Sequence, residues 1–153
     1  MQAFNPSFRI AERSDRILAG RACHALRSYP ALTRSLAQVY LRMHRMGTIC
    51  LANGDCERAV QMLVDAEQHF QKHLGPKNPL TGEAQLCLAV ARVKLLDSGH
   101  GVSDPFSRVL APMRRRDMMR SADAGLAAMQ AGYGHEHMLV EKAAALHQQL
   151  QSQ

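Results

Sequence analysis

Residues 46–91, MGTICLANGDCERAVQMLVDAEQHFQKHLGPKNPLTGEAQLCLAVA, decide the fold of this chain. They predict a helix, a tight turn, a second helix, a loop and a third helix. In the turn, Gly54 can take the positive φ that ends a helix, and Asp55 can cap the helix on its C-terminal side. Leu74-Gly75-Pro76 then ends the second helix, and Asn78-Pro79 begins the third.

Small residues lie where the first two of these helices must approach each other. Gly47 is on the first helix, and Ala59 and Ala66 are on the second. On the second helix, apolar residues recur at helical spacing and form one face, which consists of Ala59, Leu63, Ala66 and Phe70. We therefore expect two antiparallel helices that pack through glycine and alanine.

This arrangement resembles a tetratricopeptide repeat, in which two antiparallel helices form a unit and successive units stack. Gly47 and Ala59 match the consensus of that repeat. Apolar residues hold four further consensus positions, namely Met43, Met46, Cys50 and Leu63. The link LGPKNP, residues 74–79, is similar to the longer repeats of kinesin light chain, and Ala89 falls where Gly47 would recur.

The resemblance implies an all-α fold of antiparallel helix pairs, stacked as a short tetratricopeptide-like superhelix with a terminal capping helix. The approximate repeats are residues 31–75 and 79–133. Capping helices are expected at residues 6–28 and 136–151, and residues 1–153 are expected to form a single helical domain.

The remaining segments predict further helices with similar boundaries. Helices are expected over residues 5–27, 32–52, 55–73, 81–96, 106–110, 113–131 and 137–150. Pro112 is expected to separate the fifth helix from the sixth, and residues 97–105 to form a turn-rich connection. The link GHEHMLV, residues 134–140, repeats the design of GPKNPLT, residues 75–81. The buried side of the predicted helix over residues 32–52 is expected to contain Leu36, Val39, Tyr40, Met43, Met46, Gly47, Cys50 and Leu51.

A second resemblance concerns the end of the chain. Residues 134–141, GHEHMLVE, lead into an amphipathic helix and look like the C-terminal end of the SET- and MYND-domain lysine methyltransferases. Residues 78–82 with 85–88 are similar to the preceding helix start in that family. The Asn-His-x-Cys motif of the SET domain and the dense Cys and His cluster of the MYND zinc module are missing from the sequence. The resemblance therefore implies the helical domain alone, without methyl transfer, S-adenosylmethionine or zinc.

Composition limits the classes of function that the chain can have. The 153 residues carry a formal net charge of +6 and contain no Trp. A basic balance permits nucleic acid, acidic proteins or anionic lipid as partners. The densest basic cluster is Arg114-Arg115-Arg116 with Arg120, and a short Arg run without interleaved aromatics is typical of a solvated helix face. Nucleic acid is thus the less favoured partner.

The cysteines and the apolar segments bear on the compartment. Cys23, Cys50, Cys56 and Cys87 lie in helical segments and not in a close-set framework, which favours reduced, buried thiols. No apolar run has the length needed to span a bilayer, and the first residues lack an apolar secretory core. We expect a cytoplasmic or nuclear location and no membrane contact.

No set of residues has the spacing of a catalytic, cofactor-binding or metal site. His69 and His73 lie one turn apart, but no third ligand accompanies them. Residues 135–137, His-Glu-His, already serve as a link into the last helix, where Glu136 suits the helix N-terminus. Residues 97–101 contain Asp, Ser and His without a nucleophile elbow or oxyanion donors. We expect no catalytic residue, no cofactor and no metal.

The repeat pattern instead predicts a surface for a protein or peptide. First helices of stacked repeats line a concave side. The residues expected there are His44, Arg45, Thr48, Leu51, Glu83, Leu86, Val90 and Lys94. Apolar contacts would come from Leu51, Leu86 and Val90, whereas Arg45 and Lys94 would meet acidic groups. With only two repeats, the same residues can equally be core beneath the flanking helices.

Three functions therefore remain open from the sequence. The favoured one is a non-catalytic adaptor that binds a partner segment. The second is the isolated C-terminal domain of a SET-MYND-like methyltransferase, and the third is a basic nucleic-acid-associated helical protein. Two repeats are fewer than such arrays usually need, so a homo-oligomer or a missing stretch is a further expectation.

Overall fold

A computed structural model describes residues 34–98 and 105–152, and the side chains of residues 36–98 and 114–152. Its helices are α1 (Arg34–Ala52), α2 (Cys56–Leu74), α3 (Pro79–Asp97), α4 (Pro105–Tyr133) and α5 (Met138–Gln151). No residue of these two ranges lies in a strand, so the predicted all-α fold is confirmed. No helix among them is both long enough and apolar enough to cross a membrane.

The chain divides into two compact units, Met1–Leu41 and Arg42–Gln153. Of the first unit, only residues 34–41 belong to the described part, where they form the beginning of α1. The predicted capping helix at 6–28 lies outside the described residues, and so does most of the turn-rich connection at 97–105. The prediction of one domain with two repeats stays a prediction. The apolar core and the links between the helices belong to the second unit.

Local signals place the ends of α1 and α2. Gly54 has φ = 83°, and the Asp55 side chain accepts a hydrogen bond from the backbone N–H of Arg58. The predicted turn is therefore confirmed, with Asp55 as the N-cap of α2. The predicted apolar face of α2 is also confirmed, because its members Ala59, Leu63, Ala66 and Phe70 are the buried residues of this helix.

The two links predicted to correspond have the same backbone design. Gly75 and Gly134 take φ values of 85° and 84° at the ends of α2 and α4. Three residues later, Asn78 and His137 are the N-caps of α3 and α5. In each case the cap side chain accepts a hydrogen bond from the backbone N–H two residues on, at 3.0 Å for Asn78 and 3.1 Å for His137. The two links therefore share a positive-φ glycine and the same type of helix cap.

The predicted break at Pro112 is wrong. Residues 105–133 form one helix of 29 residues, with Pro112 in its first half. Proline removes one backbone hydrogen bond from a helix interior and disfavours the helical conformation of the residue before it. The packing of α4 against α3 offsets the cost of this defect. Tertiary contacts therefore outweigh the local signal.

Glycine permits the close approach of two helix pairs. A Cβ atom added to Gly47 of α1 would lie 2.6 Å from Cγ of Leu63 in α2, which confirms the close contact predicted there. Between α3 and α4, a Cβ atom on Gly125 would lie 2.5 Å from the carbonyl oxygen of Gly82. These two helices touch backbone to backbone, a contact that the sequence pattern did not predict.

Helix α3 is the centre of the second unit. It packs against α2, α4 and α5. Its buried residues surround the helix and include Thr81, Ala84, Leu86, Cys87, Leu88, Val90, Ala91 and Val93. A helix that is apolar on every side is typical of a core helix. The apolar core that forms around it contains further residues from α2, α4 and α5, among them Leu63, Met129, Val140 and Leu150.

Candidate partner-binding surface

The predicted surface residues separate into two groups. Four of them are core residues, with exposed fractions of 5% for His44, 7% for Leu51, and 1% each for Leu86 and Val90. Their side chains are not accessible to a partner in this conformation. The apolar positions of the predicted groove are therefore core beneath the neighbouring helices.

The other four residues reach solvent. Arg45, Thr48 and Glu83 are half-buried, and Lys94 is exposed in the last turn of α3. The hydroxyl of Thr48 donates a hydrogen bond to the backbone carbonyl of Arg45 at 2.8 Å, so this side chain is engaged by its own helix. We call Arg45, Thr48, Glu83 and Lys94 the polar rim of the predicted surface, whose apolar positions are closed.

His44 of α1 interacts with residues of both α2 and α3. Its ring meets that of Phe70 in α2 edge-on, with ring centroids 5.9 Å apart. Burial lowers the pKa of His44, Glu83 of α3 acts in the opposite direction, and Arg45 adds to the lowering. Nε2 of His44 has no hydrogen-bond partner among the described residues. His44 is therefore a neutral packing residue at neutral pH and not an acid–base group on the surface.

The same carboxylate influences Cys87, one turn further along α3. Burial raises the pKa of the Cys87 thiol, and the charge of Glu83 raises it further. A thiol in this environment stays protonated and is a weak nucleophile. Cys50 and Cys56 are half-buried free thiols, and they do not form the disulfide that their positions on either side of the α1–α2 turn would allow.

His69 and His73 lie side by side near the end of α2, with ring centroids 4.4 Å apart. The pKa of His69 is lowered by partial burial and by the neighbouring charges of His73 and Lys72. Among the residues that the structure describes, no three His, Cys, Asp or Glu side chains come together as metal ligands. The His135-Glu136-His137 segment forms a helix cap through Nδ1 of His137.

Helix α1 has an exposed apolar face, which the sequence pattern did not predict. Leu36, Val39 and Met46 were predicted to be buried, but they are 52%, 49% and 49% exposed, and Ile49 is 52% exposed. Periodicity identifies an apolar stripe without showing which part of it is covered. Within the second unit, Arg42, Met46 and Ile49 have the spacing i, i+4, i+7 and share one side of the helix.

The charge on α1 has one sign. Its sequence RSLAQVYLRMHRMGTICLA contains Arg34, Arg42 and Arg45 and no Asp or Glu. Arg42 precedes Met46 by one turn, and Arg45 precedes Ile49 by one turn, so a basic residue lies beside each of these two exposed apolar residues. Arg45 also belongs to the polar rim, which makes the apolar face continuous with the predicted surface.

The arginine cluster of α4 is partly neutralised. Nη1 of Arg115 lies 2.8 Å from Oδ1 of Asp97 at the end of α3, and Nη1 of Arg120 lies 3.7 Å from Oδ1 of Asp117. Arg114 and Arg116 are exposed, and neither has an ion-pair partner within the described ranges. The cluster is a solvated face with two uncompensated charges.

Comparisons of the chain with protein-family models, with curated proteins and with solved structures found no match. The resemblances to tetratricopeptide repeats and to SET-MYND proteins therefore stay predictions.

Proposed function

We propose that this protein is a non-catalytic adaptor that binds an acidic, amphipathic segment of a partner protein on α1. The observation that carries the proposal is the half-exposure of Met46 and Ile49 on one side of a helix whose charged residues are all basic. Exposed apolar side chains bordered by charge are typical of surfaces that receive an amphipathic helix.

The partner-binding residues predicted from the repeat pattern take two roles in this proposal. Arg45, Thr48, Glu83 and Lys94 form the accessible rim, where Arg45 and Lys94 attract carboxylates of the partner. His44, Leu51, Leu86 and Val90 support that rim from beneath. The partner's apolar residues contact Met46 and Ile49, which have a larger accessible surface than any apolar residue of the predicted groove.

The experiment is selection from a display library of amphipathic helical peptides that contains acidic and basic members. We expect enrichment of acidic peptides with apolar residues at i, i+3 and i+7. Binding is expected to fall at least tenfold in the double variant Met46→Glu with Ile49→Glu, because two apolar contacts are lost and like charges are introduced.

Met138→Glu is the matched control, since Met138 is 42% exposed at the start of a different helix, α5. It makes the same chemical change on a different surface and should leave binding unaltered. Enrichment of peptides without charge preference, or binding that survives the double variant, would refute the proposed surface. Failure to enrich any peptide would refute the adaptor function.

A further inference from the structure

A cavity of about 210 Å³ opens between α3 and α4, and the residues that line it come from these two helices. Leu88 and Ala89 of α3 and Met118 of α4 give it an apolar floor. Leu88 and Ala89 are buried, so the floor is continuous with the protein core. The cavity can therefore bury an apolar group of a ligand against three apolar side chains.

Two arginines from different helices line the same cavity. Arg92 comes from α3 and Arg114 from α4, and both are exposed. Neither has an ion-pair partner among the residues with described side chains. The lining also contains an acidic residue, Asp117. Its Oδ1 lies 3.7 Å from Nη1 of Arg120, so this ion pair partly neutralises the carboxylate. The cavity mouth consequently carries uncompensated positive charge, which favours an anion with planar geometry such as a carboxylate.

The volume limits the ligand to a small group. Cavities for drug-sized molecules and cofactors enclose roughly 300–1,000 Å³, which is more than this cavity offers. One branched aliphatic side chain can occupy it. A bare phosphate could contact the arginines but has no apolar group to bury against Leu88, Ala89 and Met118, so the apolar floor favours a ligand with a hydrocarbon group.

We propose that this cavity binds an aliphatic carboxylate, with its hydrocarbon group on Leu88, Ala89 and Met118 and its carboxylate between Arg92 and Arg114. Ser121 also lines the cavity, and its hydroxyl can donate a hydrogen bond to the carboxylate. Such a ligand is either a free short-chain carboxylic acid or the C-terminal residue of a peptide. This site does not depend on the proposed function of α1.

The experiment is a titration of the ¹⁵N-labelled full chain with three small probes, monitored through backbone amide shifts. The probes are N-acetyl-leucine, 4-methylpentanoate and N-acetyl-leucinamide, which lacks the carboxylate. A ligand of this size should bind with a dissociation constant on the order of millimolar. We expect saturable shifts at Leu88, Ala89 and Met118 with the two carboxylates, and affinity at least tenfold weaker for the amide.

The variants connect binding to the named residues. The double variant Arg92→Gln with Arg114→Gln should lose the saturable shifts. Arg116→Gln is the control, because Arg116 is exposed on the same helix but does not line this cavity. Circular dichroism of each variant checks that the helices are intact.

Each outcome decides the proposal. Tighter binding of N-acetyl-leucine than of 4-methylpentanoate supports a peptide C-terminus, and the reverse supports a free acid. Equal binding of N-acetyl-leucinamide would overturn the carboxylate assignment. Inorganic phosphate that produces the same shifts would reduce the site to a general anion site and overturn the role of the apolar floor. Loss of binding in Arg116→Gln would overturn the assignment to this cavity, because the effect would then belong to the arginine cluster as a whole.

Discussion

The carbonyl oxygen of Gly82 in α3 faces Gly125 in α4 so closely that a methyl group on Gly125 would overlap it. Helices that approach to this distance place Cα–H groups against carbonyl oxygens and gain dispersion along the whole contact. The next residues in the contact are also small, since Ala128 lies against Gly82, and Gly132 lies against the ring of Pro79.

Replacement of Gly125 by alanine should therefore destabilise the protein. Alanine gains about 1 kcal/mol in helix propensity over glycine. The added methyl group collides with backbone, which cannot move without separating α3 from α4, and overpacking of this kind costs roughly 1–3 kcal/mol or more. We expect a net decrease in the free energy of unfolding, measured by urea denaturation.

Ser121→Ala is the control for this substitution, because Ser121 is exposed on the same helix and already has a Cβ atom. It should change the free energy of unfolding by a few tenths of a kcal/mol at most. An increase in stability for Gly125→Ala would show that the two backbones are further apart than the structure indicates.

Features that depend on neighbouring residues could be predicted from the sequence, and contacts between distant residues could not. Asp55, Gly75 and His137 mark helix ends through neighbours within three residues, so α2 and α5 were predicted to within one residue at each end. The contact of Gly82 with Gly125 joins residues that are far apart in sequence, and nothing near either glycine indicates its partner. Pro112 is the converse case, in which a strong local signal was overridden by packing on α3.

The candidate site was predicted less well for a related reason. Helical spacing placed Leu86 and Val90 on a common face, but an apolar face fits a core as well as a groove. Met46 was assigned to the buried side because it continues an apolar stripe. Which part of a stripe is covered depends on the neighbouring helices, and no periodicity within α1 contains that information.

The buried imidazole of His44 predicts acid sensitivity. Its pKa is lowered in the folded state, so below the unfolded value near 6.5 the unfolded chain binds a proton that the folded chain does not. The contribution of this residue to stability is therefore full above pH about 6.5 and is lost progressively as the pH falls from this value toward the lower pKa of the folded state. In His44→Leu, the slope of unfolding free energy against pH should decrease by up to about 1.4 kcal/mol per pH unit.

His135→Gln serves as the control for this pH series, since His135 is exposed in the α4–α5 link. It should leave the slope unaltered. Part of the slope should persist in His44→Leu, because the pKa of His69 is lowered as well. A slope between pH 5 and 7 that is identical in the wild type and in His44→Leu would contradict the burial of a neutral imidazole.

The thiol of Cys87 should be protected from alkylation. Burial and the charge of Glu83 both raise its pKa, which leaves little thiolate and no access for a reagent. With iodoacetamide at pH 8, we expect Cys87 to react only at the rate of unfolding, whereas it should react freely in urea. Peptide mass spectrometry of the native and unfolded protein measures this, with the half-buried Cys50 and Cys56 as internal references. Equal labelling of all three thiols in the native protein would contradict the burial of Cys87.

The N-cap of α5 should depend on pH, because its side chain is an imidazole, whereas the corresponding N-cap of α3 is an asparagine. Nδ1 of His137 accepts the hydrogen bond from the backbone N–H of Leu139, which an imidazole can do only while that nitrogen carries no proton. His137→Ala should lower the free energy of unfolding by about 1 kcal/mol at neutral pH, the usual value for a lost N-cap. His137→Asn should retain this free energy, because Asn78 caps α3 in the same way.

Acid should also separate the wild type from His137→Asn. The wild type should lose the cap when His137 is protonated, whereas the asparagine variant should keep it, so His137→Asn should become the more stable protein at low pH. Hydrogen exchange at the first turn of α5 would report the local effect directly. Glu136→Gln, an exposed change in the same link, provides the reference. Equal acid sensitivity of wild type and His137→Asn at this turn would show that the imidazole does not cap the helix in solution.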